Sequence, residues 1–142
     1  MELKTTASVI TAICDIESES ADFYARSAER CPESRDWLAS LARENQKFSK
    51  RIKKAYYSAV TDALETNFSF GGLEQDLKVP AVSEQSDQTE LVQVAVEMEQ
   101  TIESFYRRAS DQTKGLMDDV SRVMARIAAA RQKRIAELQV RL

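Results

Sequence analysis

The chain repeats itself, and the repeat limits the folds open to it. Glu17 and Phe23-Tyr24-Ala25-Arg26 recur as Glu99 and Phe105-Tyr106-Arg107-Arg108. Farther along, Leu41-Ala42-Arg43 recurs as Met124-Ala125-Arg126. A Lys-Arg-Ile segment follows in each copy, as Lys50-Arg51-Ile52 and as Lys133-Arg134-Ile135. Each copy reads as a pair of helices with one apolar face. One pair cannot bury that face alone, so two pairs must pack together.

The spacing of apolar residues places the helices. Ile13, Ile16, Ser20, Phe23, Tyr24 and Ser27 recur at three and four, which predicts a helix from Thr5 to Arg30 with one buried stripe. Cys31-Pro32 ends it, because a residue before proline avoids the helical region. Pro32 suits the first turn of a second helix, expected from Pro32 to Leu64. Its stripe is Leu38, Leu41, Asn45, Phe48, Ile52, Ala55 and Ala59. So short a break predicts an antiparallel hairpin.

From Thr66 to Thr89 the pattern fails, with Gly71-Gly72, Pro80 and the polar run from Ser83 to Gln88. Phe68, Phe70, Leu73, Leu77 and Val79 within it predict a connection packed along the helices. A third helix is expected from Glu90 to Asp111, with Val92, Ala95, Glu99, Ile102, Phe105 and Tyr106 inward. A turn at Thr113-Lys114-Gly115 leads to a fourth, from Leu116 to Leu142, with Val120, Met124, Ile127, Arg131, Ile135 and Leu138 inward. The expected fold is all-α and one domain: a first hairpin over 1–65, a crossover over 66–89 and a second hairpin over 90–142. A length of 142 residues suits one core.

Composition removes several functions. The chain has no histidine, which takes away the commonest transition-metal ligand and general base, and with them Ser-His and Cys-His nucleophile pairs. Cys14 and Cys31 stand apart and read as reduced thiols. The net charge of −3 supplies no global basic field for nucleic acid or an anionic membrane. No apolar run approaches the roughly 18–20 residues that span a bilayer. The opening Met1-Glu2-Leu3-Lys4 lacks a signal-peptide pattern, so a cytoplasmic location is expected.

Glu, six residues, then Tyr on the first and third helices resembles the ferritin and rubrerythrin superfamily. Ile16-Glu17-Ser18-Glu19-Ser20-Ala21-Asp22-Phe23-Tyr24 is similar to the rubrerythrin form of that helix, and Leu41-Ala42-Arg43-Glu44 resembles the start of its second. Val60-Thr61-Asp62-Ala63-Leu64 resembles the end of that second helix. The resemblance implies a ferritin-like four-helix bundle with a long crossover between helices two and three. It also implies a di-iron site built from one Glu on each of helices one and three and a Glu-x-x-His on each of helices two and four. Carried onto this chain, the glutamates fall on Glu17 and Glu99. The other motifs fall on Asn45 and Phe48 and on Ala128 and Arg131, so four ligands are lost. Glu44 is one residue from the expected place, about 100° around a helix.

The retained residues have two readings each. Glu17 and Glu99 hold a metal ion with Glu44, or they are relics paired with another group. Arg131 points inward at a lost histidine position and bridges Glu17 and Glu99 as an internal salt bridge, or it reaches to solvent. Tyr24 and Tyr106 hydrogen bond to those glutamates or their partners, or they are core residues with satisfied hydroxyls. Phe48 is apolar filler and Cys14 a small packed side chain. Lys47, Lys50, Arg51, Lys53 and Lys54, and on the fourth helix Arg122, Arg126, Arg131, Lys133 and Arg134, form basic runs beside an acidic first helix. Charge balance between neighbouring helices accounts for them, so no nucleic acid is expected.

The leading expectation is a non-enzymatic bundle without cofactor that associates with itself, as a homodimer, or with a partner. Trp37, Tyr56, Tyr57, Phe68 and Phe70 are the candidate contact residues. The alternatives are an iron-binding oxidoreductase with a reduced carboxylate site, and a small-molecule binder in the vacated core.

Overall fold

Every apolar stripe in this chain needs a facing surface. The computed structural model, which describes residues 6–62, 79 and 87–140, shows where each one finds it. The elements are α1 (Thr6–Arg30), a 3₁₀ turn (Pro32–Ser34), α2 (Arg35–Asp62), α3 (Gln88–Thr113) and α4 (Asp118–Val140). The protein is all-α, and no strand occurs among the described residues.

The helix ends differ from the spacing-based bounds by a few residues, each for a local reason. Cys31 is extended (φ −123°, ψ 78°) before the proline, and a 3₁₀ turn intervenes, so α2 begins at Arg35 and not at Pro32. Asp87 accepts a hydrogen bond of 2.8 Å from the Glu90 backbone N–H, and this cap starts α3 at Gln88, two residues early. Gly115 has φ 83°, a left-handed conformation that a side chain would resist. Its N–H donates to Asp118 Oδ1 at 2.7 Å, so the turn runs on and α4 starts at Asp118, after Leu116.

The helices pack α1 along α2, α2 against α4, and α4 along α3. Residue contacts give the directions. Tyr24 meets Glu99 while Tyr106 meets Glu17, so α1 and α3 run antiparallel. Trp37 meets Glu137 and Asn45 meets Arg134, so α2 and α4 do likewise. Ile13, Phe23, Tyr24, Ile52, Ile102, Phe105, Tyr106, Met124, Ile127 and Leu138 form the centre of one apolar core fed by all four helices. Burying each such side chain contributes roughly 1.5–3 kcal/mol.

Val79 is half-buried against this core. Phe68, Phe70, Leu73, Leu77, Gly71-Gly72 and Pro80 lie outside the described residues, as do the boundaries expected at 65 and 66. Among the described residues no helix is long and apolar enough to cross a membrane.

Candidate functional site

The middle of the core is charged. Glu17, Glu99, Arg131 and Arg134 are each at most 2 % exposed, and they sit together between the four helices. Their positions follow from helix geometry. Glu17 lies one turn past Ile13, Glu99 one turn past Ala95, and Arg131 one turn past Ile127. Each therefore sits on its helix's inward stripe.

Arg131 is the hub. Its Nη1 donates to both carboxylate oxygens of Glu99, at 2.8 Å and 2.8 Å, and its Nη2 donates to Glu17 Oε1. Arg134 is the second cation. Its Nη1 donates to Asn45 Oδ1 at 2.7 Å and to Glu99 Oε1 at 3.1 Å. Its Nη2 donates to Glu44 Oε1 at 2.5 Å, and the Glu44 side chain is 44 % exposed. Two tyrosines close the cluster across the molecule. Tyr24 on α1 donates to Glu99 on α3 at 2.7 Å, and Tyr106 on α3 donates to Glu17 on α1 at 2.5 Å. Each copy's tyrosine thus serves the other copy's glutamate.

Phe48, expected as apolar filler, does more than fill space. The Arg131 guanidinium lies 5.6 Å from its ring centre and that of Arg134 lies 5.5 Å away. Tyr106 lies 5.9 Å from Arg131, and Tyr24 lies 5.2 Å from Arg134. Aromatic faces at this range attract cations and replace part of the lost hydration.

The two carboxyls are not equivalent. Burial pushes Glu17 up, and Arg131 with the Tyr106 hydrogen bond offsets only part of that, so its pKa is raised. Burial pushes Glu99 the same way, but Arg131, Arg134 and the Tyr24 hydrogen bond outweigh it, so its pKa is lowered. Arg134 hydrogen bonds to Glu99 and acts on Glu17 more weakly, while the Glu99 charge adds to the rise at Glu17. Burial, then the adjacent carboxylates, raises both tyrosines well above their usual range and keeps them as donors. Burial lowers the pKa of Arg131, but Glu17 and Glu99 more than reverse this and hold its charge.

Satisfaction is incomplete. Asn45 Nδ2, Arg131 Nε, Arg134 Nε and Ser20 Oγ are buried without a hydrogen-bond partner among the described residues. Such groups cost roughly 1–3 kcal/mol each.

Several residues stand elsewhere than the spacing suggests. Arg134 belongs to the core and not to the exposed basic run, while Ile135, expected inward, is half-buried. The rotation follows the charge, because Glu99, Asn45 and Glu44 all offer oxygens to Arg134. The signal was present in the sequence: Arg131 and Arg134 are three apart and share a helix face. Arg131, for which solvent was an open alternative, is fully buried. Glu44 accepts from Arg134 at the rim. Among the described residues, no three His, Cys, Asp or Glu side chains gather as a metal ion needs. Ala128 is buried and offers no polar atom, and Cys14 is half-buried. Trp37 is half-buried against the core, with its indole 3.3 Å from Glu137 Oε2. Tyr56 is half-buried too, and Tyr57 is 64 % exposed.

The centre between the four helices is filled by the two guanidiniums and Phe48, which leaves the small-molecule cavity expected there without room. A pocket of about 300 Å³ lies instead between α3 and α4, lined by Glu103, Arg107, Ser110 and Gln132 with the alanines of α4.

No family model, no curated protein and no solved structure matches this chain.

Proposed function

We propose that this chain is a degenerate ferritin-like bundle, related to rubrerythrins, whose metal centre has been replaced by an internal ion-pair cluster. On this reading it is not an enzyme, and it works by associating with itself or with a partner. The observation that carries the proposal is Arg131, fully buried between Glu17 and Glu99 at a position where the resemblance places a metal-binding histidine. In a di-iron member, four carboxylates balance two divalent ions. Here the two buried carboxylates, Glu17 and Glu99, face two guanidiniums, Glu44 joins at the half-exposed rim, and Asn45 and Ala128 stand uncharged where the resemblance puts the other two carboxylates. Within the buried centre the charge sum is kept without metal. Catalysis on oxygen or peroxide needs open metal positions, and Glu17, Glu99, Glu44 and the Asn45 oxygen each accept from an arginine.

Metal analysis of protein purified without oxygen tests the reading. It expects no iron, and no iron-oxo absorbance after reconstitution. Roughly two iron ions per chain would overturn it. A second test restores the pattern with Asn45→Glu, Phe48→His, Ala128→Glu and Arg131→His together. A ferritin-like backbone should then bind iron, whereas a folded variant that binds none would sink the proposed kinship. Sedimentation at micromolar concentration tests the expected homodimer.

A further inference from the structure

The basic runs of α2 and α4 form one outward layer. Arg43, Lys47, Lys50 and Lys54 alternate steps of four and three along α2, and all four are exposed. Arg122, Arg126 and Lys133 are exposed along α4. In both helices these positions lie opposite the buried stripe. Because α2 and α4 pack together and run antiparallel, Lys54 lies toward the Arg122 end and Arg43 toward the Lys133 end. The result is two cationic ridges, each about 16 Å long, on axes about 8–10 Å apart.

Neighbouring helices do not neutralise this layer. Among the described residues, Arg43, Lys47, Lys50, Lys54, Arg126 and Lys133 form no ion pair, while Arg122 is paired with Asp119. Between Arg43 and Tyr57 the only acid on α2 is Glu44, which is held by Arg134. α4 has no acid between Asp119 and Glu137. The opposite layer carries exposed acids, Asp15, Glu19, Asp22 and Glu29 on α1, interrupted by Arg26, and Glu90, Glu97 and Asp111 on α3, beside Arg107, while Asp36 on α2 and Asp118 and Asp119 on α4 are exposed beyond the ends of the basic ridges. The net charge of −3 therefore hides a molecule with one cationic side and one anionic side.

We infer that the α2–α4 layer binds the phosphodiester backbone of a double-stranded nucleic acid, without regard to sequence. This rests on the partner-binding reading above and names the partner's chemistry. Three features select the occupant. Lysine is depleted in protein–protein interfaces, and this layer is lysine-rich with small alanines between its charges, Ala125, Ala129 and Ala136. A membrane-surface helix needs an apolar face to insert, and the apolar faces of α2 and α4 are buried in the core. A linear array of phosphates gains from counterion release at every contact. The choice of duplex follows from how little stacking surface the ridges carry. Phe48, between Arg43 and Lys54, is buried, α4 has no aromatic residue, and Tyr57, one turn past Lys54, is one exposed ring, too little to stack a run of bases. The anionic back layer turns the molecule so that one face alone meets the polyanion.

Fluorescence anisotropy of the full chain with a labelled mixed-sequence DNA duplex tests this across a salt series. About five phosphate contacts predict a slope of log K against log salt of about −4 to −5, and a loss on the order of 10²–10³ in affinity from 50 to 200 mM. Lys47→Glu, Lys50→Glu and Lys54→Glu together should bring the slope to about −2 and leave the thermal melt unchanged. The neutral Gln versions serve if charge reversal impairs folding. Glu19→Gln with Asp22→Asn, on the opposite layer, should leave binding unchanged or tighten it slightly. Three results overturn the inference: no binding at low salt, equal binding by the triple variant, or binding to phosphatidylserine vesicles without binding to duplex. Salt-sensitive self-assembly abolished by the same substitutions, with no duplex binding, assigns the layer to a second copy and overturns it also. None of these outcomes bears on metal content, so failure here is separable from failure of the ion-pair reading.

Discussion

The tripeptide Lys-Arg-Ile occurs once in α2 and once in α4, at matching places in the repeat, and the two copies are turned differently. In α2, Ile52 is fully buried and Arg51 is exposed. In α4, Arg134 is 2 % exposed and Ile135 is only half-buried. Local sequence is identical, so local preference cannot decide. What differs is the facing chemistry. Arg134 finds Glu99, Asn45 and Glu44 within hydrogen-bond reach, and Arg51 forms no ion pair among the described residues. Three oxygens outweigh the smaller hydrophobic return from fully burying one isoleucine.

The same contrast extends one turn back. Phe48 and Arg131 occupy equivalent positions, so the first copy supplies an aromatic face and the second supplies the cation that rests on it. At these positions the first copy is apolar and the second carries the charge. The largest expected effect tests that division. Arg131→Ala leaves two buried carboxylates without their shared partner and should cost about 3–5 kcal/mol, read by urea unfolding. A variant that unfolds at the parent's midpoint would remove Arg131 from the account.

Next in size is the arginine pair itself. Arg134→Ala should cost about 2–3 kcal/mol, less than Arg131 because one of its partners, Glu44, is half in water. Arg51→Ala should fall within about 0.5 kcal/mol of the parent. Equal losses at the two sites would break the comparison.

The glutamates give a smaller and pH-dependent difference. Glu99 has a lowered pKa, so its contribution is present above the ordinary carboxylate range and is lost as pH falls through its folded value. Glu17 has a raised pKa, so its contribution is present below the ordinary range and is lost as pH rises through its folded value. The cost of Glu99→Gln, about 2–3 kcal/mol at neutral pH, should shrink on acidification. The cost of Glu17→Gln, about 1 kcal/mol or less at neutral pH, should grow on acidification. Parallel pH profiles for the two variants would show that the cations serve both carboxyls alike. At the apolar position of the same tripeptide, Ile52→Val should cost about 1 kcal/mol and Ile135→Val less, in keeping with their burial.

Much of this was legible from spacing. The all-α class follows from three-and-four periodicity and from the scarcity of glycine and proline. Glu17, Glu99 and Arg131 stand on apolar stripes, and their inward course needs no more than helix geometry. Arg134 was only half legible: its place three residues after Arg131 puts both on one helix face, but a helix can turn by some tens of degrees to satisfy a charge, and spacing alone does not show that Arg134 is buried at the expense of Ile135. The crossed tyrosines were hidden for a related reason. Spacing puts Tyr24 and Tyr106 near the glutamates, but which carboxylate each reaches depends on the register between α1 and α3. The outward course of the basic runs was hidden for a third reason. The sequence shows α1 to be acidic and α2 basic, but not that both stripes point to solvent.

The crossed hydrogen bonds have a consequence for how this chain can change over time. Each half carries a glutamate whose hydroxyl donor lies in the other half, 75 or 89 residues away. The first half alone would leave Glu17 without Arg131 and Tyr106, while the second half alone would keep Arg131 and Arg134 on Glu99 and lose the Tyr24 hydroxyl. Two similar halves are thereby made into one unit of inheritance: neither copy can be lost, exchanged or allowed to drift at its tyrosine without the other copy bearing the cost.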